Sequence, residues 1–133
     1  DGAEREVQLA LAMAVPLEQP GVLATLSALR LAQGHAEEAL AAAEDAMARC
    51  HAMSACGMFR GAFVRLAHAE ALHATGAHDA ARRTIAEARA RLLAIADTIA
   101  EPSYRTSFLD AVPENARTLA LARTWLGDAA PRA

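Results

Sequence analysis

The chain contains no lysine, so all 13 of its basic residues are arginine, set against 16 acids for a net charge of −3. No basic stripe gathers on any segment, which excludes a nucleic-acid footprint. Aromatic residues make up only 4%, and valine and isoleucine are sparse, which argues against a sheet. The two cysteines, Cys50 and Cys56, are too few for a disulfide framework. No apolar run approaches the roughly 20 residues that cross a bilayer, and no charged-then-apolar leader is legible. No Gly-rich phosphate loop is written anywhere. These absences leave a cytoplasmic protein with no membrane, no nucleic acid and no cofactor as the expectation.

What is abundant is alanine, with 37 copies in 133 residues. Alanine and leucine are the strongest helix formers, and a chain of this length forms one domain. Two stretches share one ruler. GHAEEALAAAEDAMA begins at Gly34 and GAHDAARRTIAEARA at Gly76. Each has an alanine five residues after the glycine (Ala39, Ala81) and another twelve after it (Ala46, Ala88). From Ala36, residues Ala39, Leu40, Ala43, Ala46 and Met47 fall on one helical face. From Asp79, the inward set is Ala81, Ile85, Ala88, Leu92 and Ile95. The charges Asp79, Arg83, Glu87 and Arg91 step outward every four residues, the pattern of a solvated helix face.

Upstream of each glycine lies a second periodic segment. Leu23, Leu26, Leu29 and Leu31 precede Gly34; Phe59, Phe63, Leu66, Ala69 and Leu72 precede Gly76. Glycine accepts the left-handed backbone that ends a helix, and a new helix starts within two or three residues. Each unit is therefore an antiparallel helix pair. The N-terminus carries half of the ruler, with Gly2, Val7 and Ala14. It reads as the second helix of a unit whose first helix is missing, so the expectation is a fragment of a longer protein. Toward the C-terminus, Pro102 and Pro113 each suit a first helical turn. They open a short helix to about Ala111 and a longer one to Leu126 that buries Leu119, Ala122, Trp125 and Leu126. Gly127 closes it.

This ruler resembles the tetratricopeptide repeat. Ser27 and Ala69 match the small position of that family's first helix, Gly34 and Gly76 its turn, and Ala39, Ala46, Ala81 and Ala88 its two alanines. The turn glycines are 42 residues apart where the family usually spaces them by about 34, which fits its long-helix variety. The family's aromatic positions are mostly absent. The segment FLDAVPENARTLALARTWLG looks like the end of bacterial multidomain signalling proteins that join a kinase or ATPase to such an array. The resemblance implies an all-α, right-handed α-solenoid of about seven helices. Its parts are a half repeat (2–16), two repeats (20–52 and 55–98) and a C-terminal helical cap (102–127). It implies a scaffold for protein–protein interaction and no enzyme. The concave groove would use Thr25, Ala28 and Leu31 in the first unit and Phe63, Leu66, Glu70 and His73 in the second, flanked by Arg30, Arg60 and Arg65. Core packing is the competing role for Leu31, Phe63 and Leu66.

Other chemistry is weakly written. CHAMSAC offers two thiols and His51 without the four ligands of a structural zinc site, so two packed thiols in a loop are expected. His68 and His73 are five apart and diverge on a helix; they line or rim a groove. His35 and His78 sit in the turns. No serine has a visible histidine–carboxylate relay. Two rivals to the scaffold stay open. One is homo-oligomerisation through Val7, Leu11 and Met13. The other is a helical-bundle metal protein or enzyme built on the histidines and cysteines.

Overall fold

The structure, a computed structural model, describes residues 2–14, 16–52 and 61–127. Those residues form seven α-helices and no strand: α1 Gly2–Met13, α2 Gln19–Ala32, α3 Ala36–Ala52, α4 Gly61–Ala74, α5 His78–Asp97, α6 Pro102–Asp110 and α7 Pro113–Leu126, with a 3-10 turn, Pro16–Glu18, before α2. Phe59, Arg60 and Cys56 lie outside the described residues. No helix among the described residues is long and apolar enough to cross a membrane.

The two expected turns share the same backbone cap. Gly34 and Gly76 have φ of 82° and 91°, a conformation that costs any side-chain-bearing residue energy. His35 N donates to Arg30 O at 2.8 Å and Gly34 N to Leu31 O at 3.0 Å; Ala77 N donates to Leu72 O at 3.0 Å and Gly76 N to His73 O at 3.1 Å. Both are Schellman caps, which satisfy carbonyls left over at a helix end. The next helix starts the same way each time, with Ala39 N on His35 O and Ala81 N on Ala77 O, both at 2.9 Å.

The ruler residues are where close approach happens. Ala39, Ala46 and Ala81 are 0% exposed and Ala88 is 2% exposed, and the small partners Ser27 and Ala69 are fully buried. Helix axes can come close only where no bulky side chain intervenes. In the first pair the Ser27 hydroxyl also donates to Ala39 O at 2.8 Å. Packing runs along the chain: α2 on α3, α3 on α4, α4 on α5, α5 on α7, with α2 also touching α4 and α4 touching α7. The core follows the same path, from Leu23, Leu26, Ala46 and Val64 to Leu66, Ala69, Ile85 and Ala122.

The corners joining α5, α6 and α7 are held by polar contacts. The Glu101 carboxylate accepts from Ser103 N and Tyr104 N, capping α6, and from the Ser103 hydroxyl. Those bonds, led by the hydroxyl, hold its carboxyl below the usual range. Arg105 donates to Ile99 O at 2.7 Å, and Asn115 Nδ2 donates to Phe108 O at 2.9 Å, tying α6 to α7.

Several expectations are corrected. Ile95 is 42% exposed and Ala96 takes the inward place. The last turn of α5 closes onto the α6 corner, where Arg105 also reaches Ala96 O, and a small residue fits that approach. In α7 the buried residues are Asn115, Thr118 and Ala122. Leu119, Trp125 and Leu126 are only half-buried, because the face against α4 and α5 again selects small side chains. Leu29, Leu31, Leu40, Met47 and Phe63 are half-buried, the last four packed against the core. Cys50, 1% exposed, carries a disulfide in place of the expected packed thiol; its bonding partner lies outside the described residues.

Candidate functional site

Helix periodicity sends residues three and four apart to one side. On α4 that side carries Phe63, Leu66, Ala67 and Glu70, which meet Ser27, Ala28 and Leu31 of α2 around a crevice of about 50 Å³. Its walls are apolar apart from Ser27, whose hydroxyl is committed to Ala39, and Glu70. Glu70 accepts from Arg117 Nε of α7 at 3.1 Å. The pair is partly open to water, with side chains 26% and 56% exposed, so it contributes little to stability and leaves charge on display beside the crevice.

One turn further along α4, the His73 ring stacks on Trp125 of α7, with centroids 4.4 Å apart and planes 2° apart. His78 meets the His73 ring edge-on at 4.6 Å. Phe63, Glu70 and His73 therefore lie on the run of α4 that adjoins α2 and α7.

The remaining expected groove residues are dispersed. Thr25 is exposed, donates to Gly21 O within α2 at 3.0 Å, and borders an open cavity of about 330 Å³ with Ala3, Glu6, Val7, Ala10 and Val22. Arg30 bridges three helices through Glu4 of α1 at 2.5 Å and Glu38 of α3 at 3.2 Å. Arg60 lies outside the described residues. Arg65 turns to the other flank of α4, 7% exposed, into a cavity with Arg91, Phe108 and Glu114. Burial first, then Arg91, pulls its guanidinium below the ordinary arginine value, and Glu87 opposes that.

His68 is half-buried; burial lowers its pKa and Glu44 opposes the shift. His35 is exposed and its Nδ1 lies 3.2 Å from Glu38. Among the described residues, no group of three or more histidine, cysteine, aspartate or glutamate side chains is placed to hold a metal ion.

Two residues beside the crevice went unread in the sequence. Arg117 is 47 positions from Glu70, and nothing local marks a pairing at that range. Trp125 reads as a core residue because an aromatic on a leucine-rich helix normally is one. Compared with family models, curated proteins and solved structures, the chain matches none.

Proposed function

We propose that the chain is a protein–protein interaction scaffold, a right-handed tetratricopeptide-like solenoid whose concave face is made by α2, α4 and α7. The observation that carries this reading is the α2–α4 crevice, an apolar slot with the Glu70–Arg117 pair at its edge. An apolar anchor with a charged margin suits the side chain of a bound peptide or helix. The order of helix contacts supports the stack: α2, α4 and α7 meet in sequence, each beside the second helix of the preceding pair or pairs. A place in a larger bacterial regulator belongs to the same proposal. The Cys50 disulfide weighs against a reducing compartment.

The test is capture of partners from the source cell with wild-type chain, Phe63→Ala, Glu70→Ala and Arg83→Ala, followed by titration of a captured partner. Arg83 is exposed on α5 and controls for loss of a charge. The reading expects Phe63→Ala and Glu70→Ala to weaken the same partner about tenfold, the scale of a modest interface anchor. It is abandoned if neither changes affinity.

A specific observation favours a second reading, self-association through α1. Val7 and Leu11, expected on the uncovered face, instead pack against the core; α1 still has no buried residue, and its open face carries Leu9 and Met13, 61% and 76% exposed. Light scattering at micromolar concentration decides it: a concentration-independent monomer rules out self-pairing as the main role.

A further inference from the structure

The turn joining α4 to α5 carries two imidazoles that its counterpart does without. His73 and His78 stand three residues before and two after Gly76; at the matching places around Gly34 the chain has Leu31 and Ala36. Both turns close with the same cap, so the histidines are an addition to the turn and not a condition of its folding. The cap nonetheless fixes their relation. Gly76 N donates to His73 O at 3.1 Å and His78 N to Gly76 O at 2.9 Å. The chain doubles back, and the two rings come to rest 4.6 Å apart with 67° between their planes.

That separation is the span of one metal ion. With a metal–nitrogen bond of about 2 Å, each ring centre stands roughly 3.2 Å from the ion. Two rings at a right angle about the ion then lie about 4.5 Å apart, and at the tetrahedral angle about 5.2 Å. The observed distance matches the right angle, the tetragonal arrangement of copper(II) rather than the tetrahedral one of zinc. Trp125 of α7 stacks on the His73 ring at 4.4 Å and fixes its plane, as the outer partners of metal-ligating histidines do. Stacking covers the face of the ring and leaves the nitrogens, which lie on its rim. Within the described residues, the contacts of these two imidazoles are the ring contacts alone. His78 is exposed and His73 half-buried, so an ion reaches the pair from water. No third histidine, cysteine or carboxylate among the described residues completes a larger ligand group, so water supplies the remaining ligands.

We propose that His73 and His78 form a two-histidine binding site for copper(II) at the α4–α5 turn. Each imidazole gives one nitrogen lone pair to adjacent corners of the ion's square, and two waters hold the other corners. Trp125 orients His73 and is a positioning residue. The site has no part in the crevice reading and stands without it. Half the ligands of a four-ligand structural site bring roughly the square root of its dissociation constant, a Kd of about 10 μM.

The experiment is a titration of the whole chain with copper(II) ions at about pH 7.5, following the fluorescence of Trp125, the one tryptophan in the sequence. Open-shell copper(II) quenches an indole held this close. The quench is expected to saturate at one ion per chain with a Kd of about 10 μM. Zinc is expected to displace the copper only at about tenfold excess or more, and magnesium to do nothing. His78→Gln is expected to weaken the titration at least about tenfold. That variant keeps the His73–Trp125 stack, so its loss cannot come from a changed surrounding of the indole. His73→Gln should lose as much, while His35→Gln, in the α2–α3 turn, titrates like wild type. The proposal is overturned if the quench has not saturated at about ten times the stated concentration, if His78→Gln is quenched like wild type, if His35→Gln weakens it equally, or if zinc displaces copper at equal concentration.

Discussion

The two hairpins, α2–α3 and α4–α5, use one turn and two different interiors. Their glycines, caps and buried alanines correspond position by position at a separation of 42. Where the first pair buries Ser27, Ala39 and Ala43, the second buries Ala69, Ala81 and Ile85 at the corresponding positions. In the first pair a hydroxyl crosses to the facing backbone; in the second, Ala69 joins an apolar cluster with Ile85 and Ala122 of α7. What both retain is smallness on the facing helices. The contact depends on volume, and the polarity of the small residue can change freely provided its hydroxyl has an acceptor.

The largest effect that would break this equivalence is crowding. Ala39→Leu and Ala81→Leu should each cost about 2–3 kcal/mol in urea unfolding, since a filled helix contact has no room for added methylenes. Ala41→Leu, on the exposed side of α3, should stay within about 0.5 kcal/mol. If Ala81→Leu were also neutral, the second hairpin would not be a close contact.

Next come the turns. Gly34→Ala and Gly76→Ala should cost about 1–2 kcal/mol each. The two should be nearly equal, because a Cβ at either position meets nothing within 4 Å and only backbone strain remains. Unequal values would show that the turns differ beyond their hydrogen bonds.

A smaller effect separates the interiors. Ser27→Ala should lose about 1 kcal/mol, the net worth of one buried hydrogen bond, measured by the same unfolding curves. No equivalent loss is available at Ala69, so the pair of measurements sharpens the contrast directly.

The smallest effect concerns acid. Burial lowers the pKa of His68, which has Leu26 as its counterpart in the first hairpin. The unfolded chain then binds the proton more readily than the folded one, so stability rises with pH across that interval. It is fully present above the ordinary histidine value of about 6.5 and falls as pH drops from there toward the lowered folded value. His68→Gln should remove that part of the slope in melting temperature against pH.

Much of the frame was legible because it is local. A glycine with an alanine five and twelve residues on encodes a turn and a face, and both came out at Gly34 and Gly76. The limits of α7 were legible from Pro113 and Gly127 for the same reason. The core composition was read less well. Leucine was expected inside α7, but the faces between helices took Asn115, Thr118 and Ala122, because proximity there outweighs hydrophobicity. The crevice was half legible: Phe63 and Glu70 follow from one helix's period, while Arg117 and Trp125 arrive from a helix about 50 residues away. Arg65 was misplaced because a helical period gives a direction around the axis and not the identity of the neighbour met there.

The central claim is an open row of first helices, α2, α4 and α7, in that order. Pairwise distances between spin labels test it most directly. Labels would go on the exposed C-terminal turns at Ala32, Ala74 and Thr124, through ketone-bearing residues that leave Cys50 untouched. Neighbouring axes lie about 8–10 Å apart. The account therefore predicts two short, similar separations, Ala32 to Ala74 and Ala74 to Thr124, with Ala32 to Thr124 close to their sum. Three similar separations would mean a closed bundle and would contradict it.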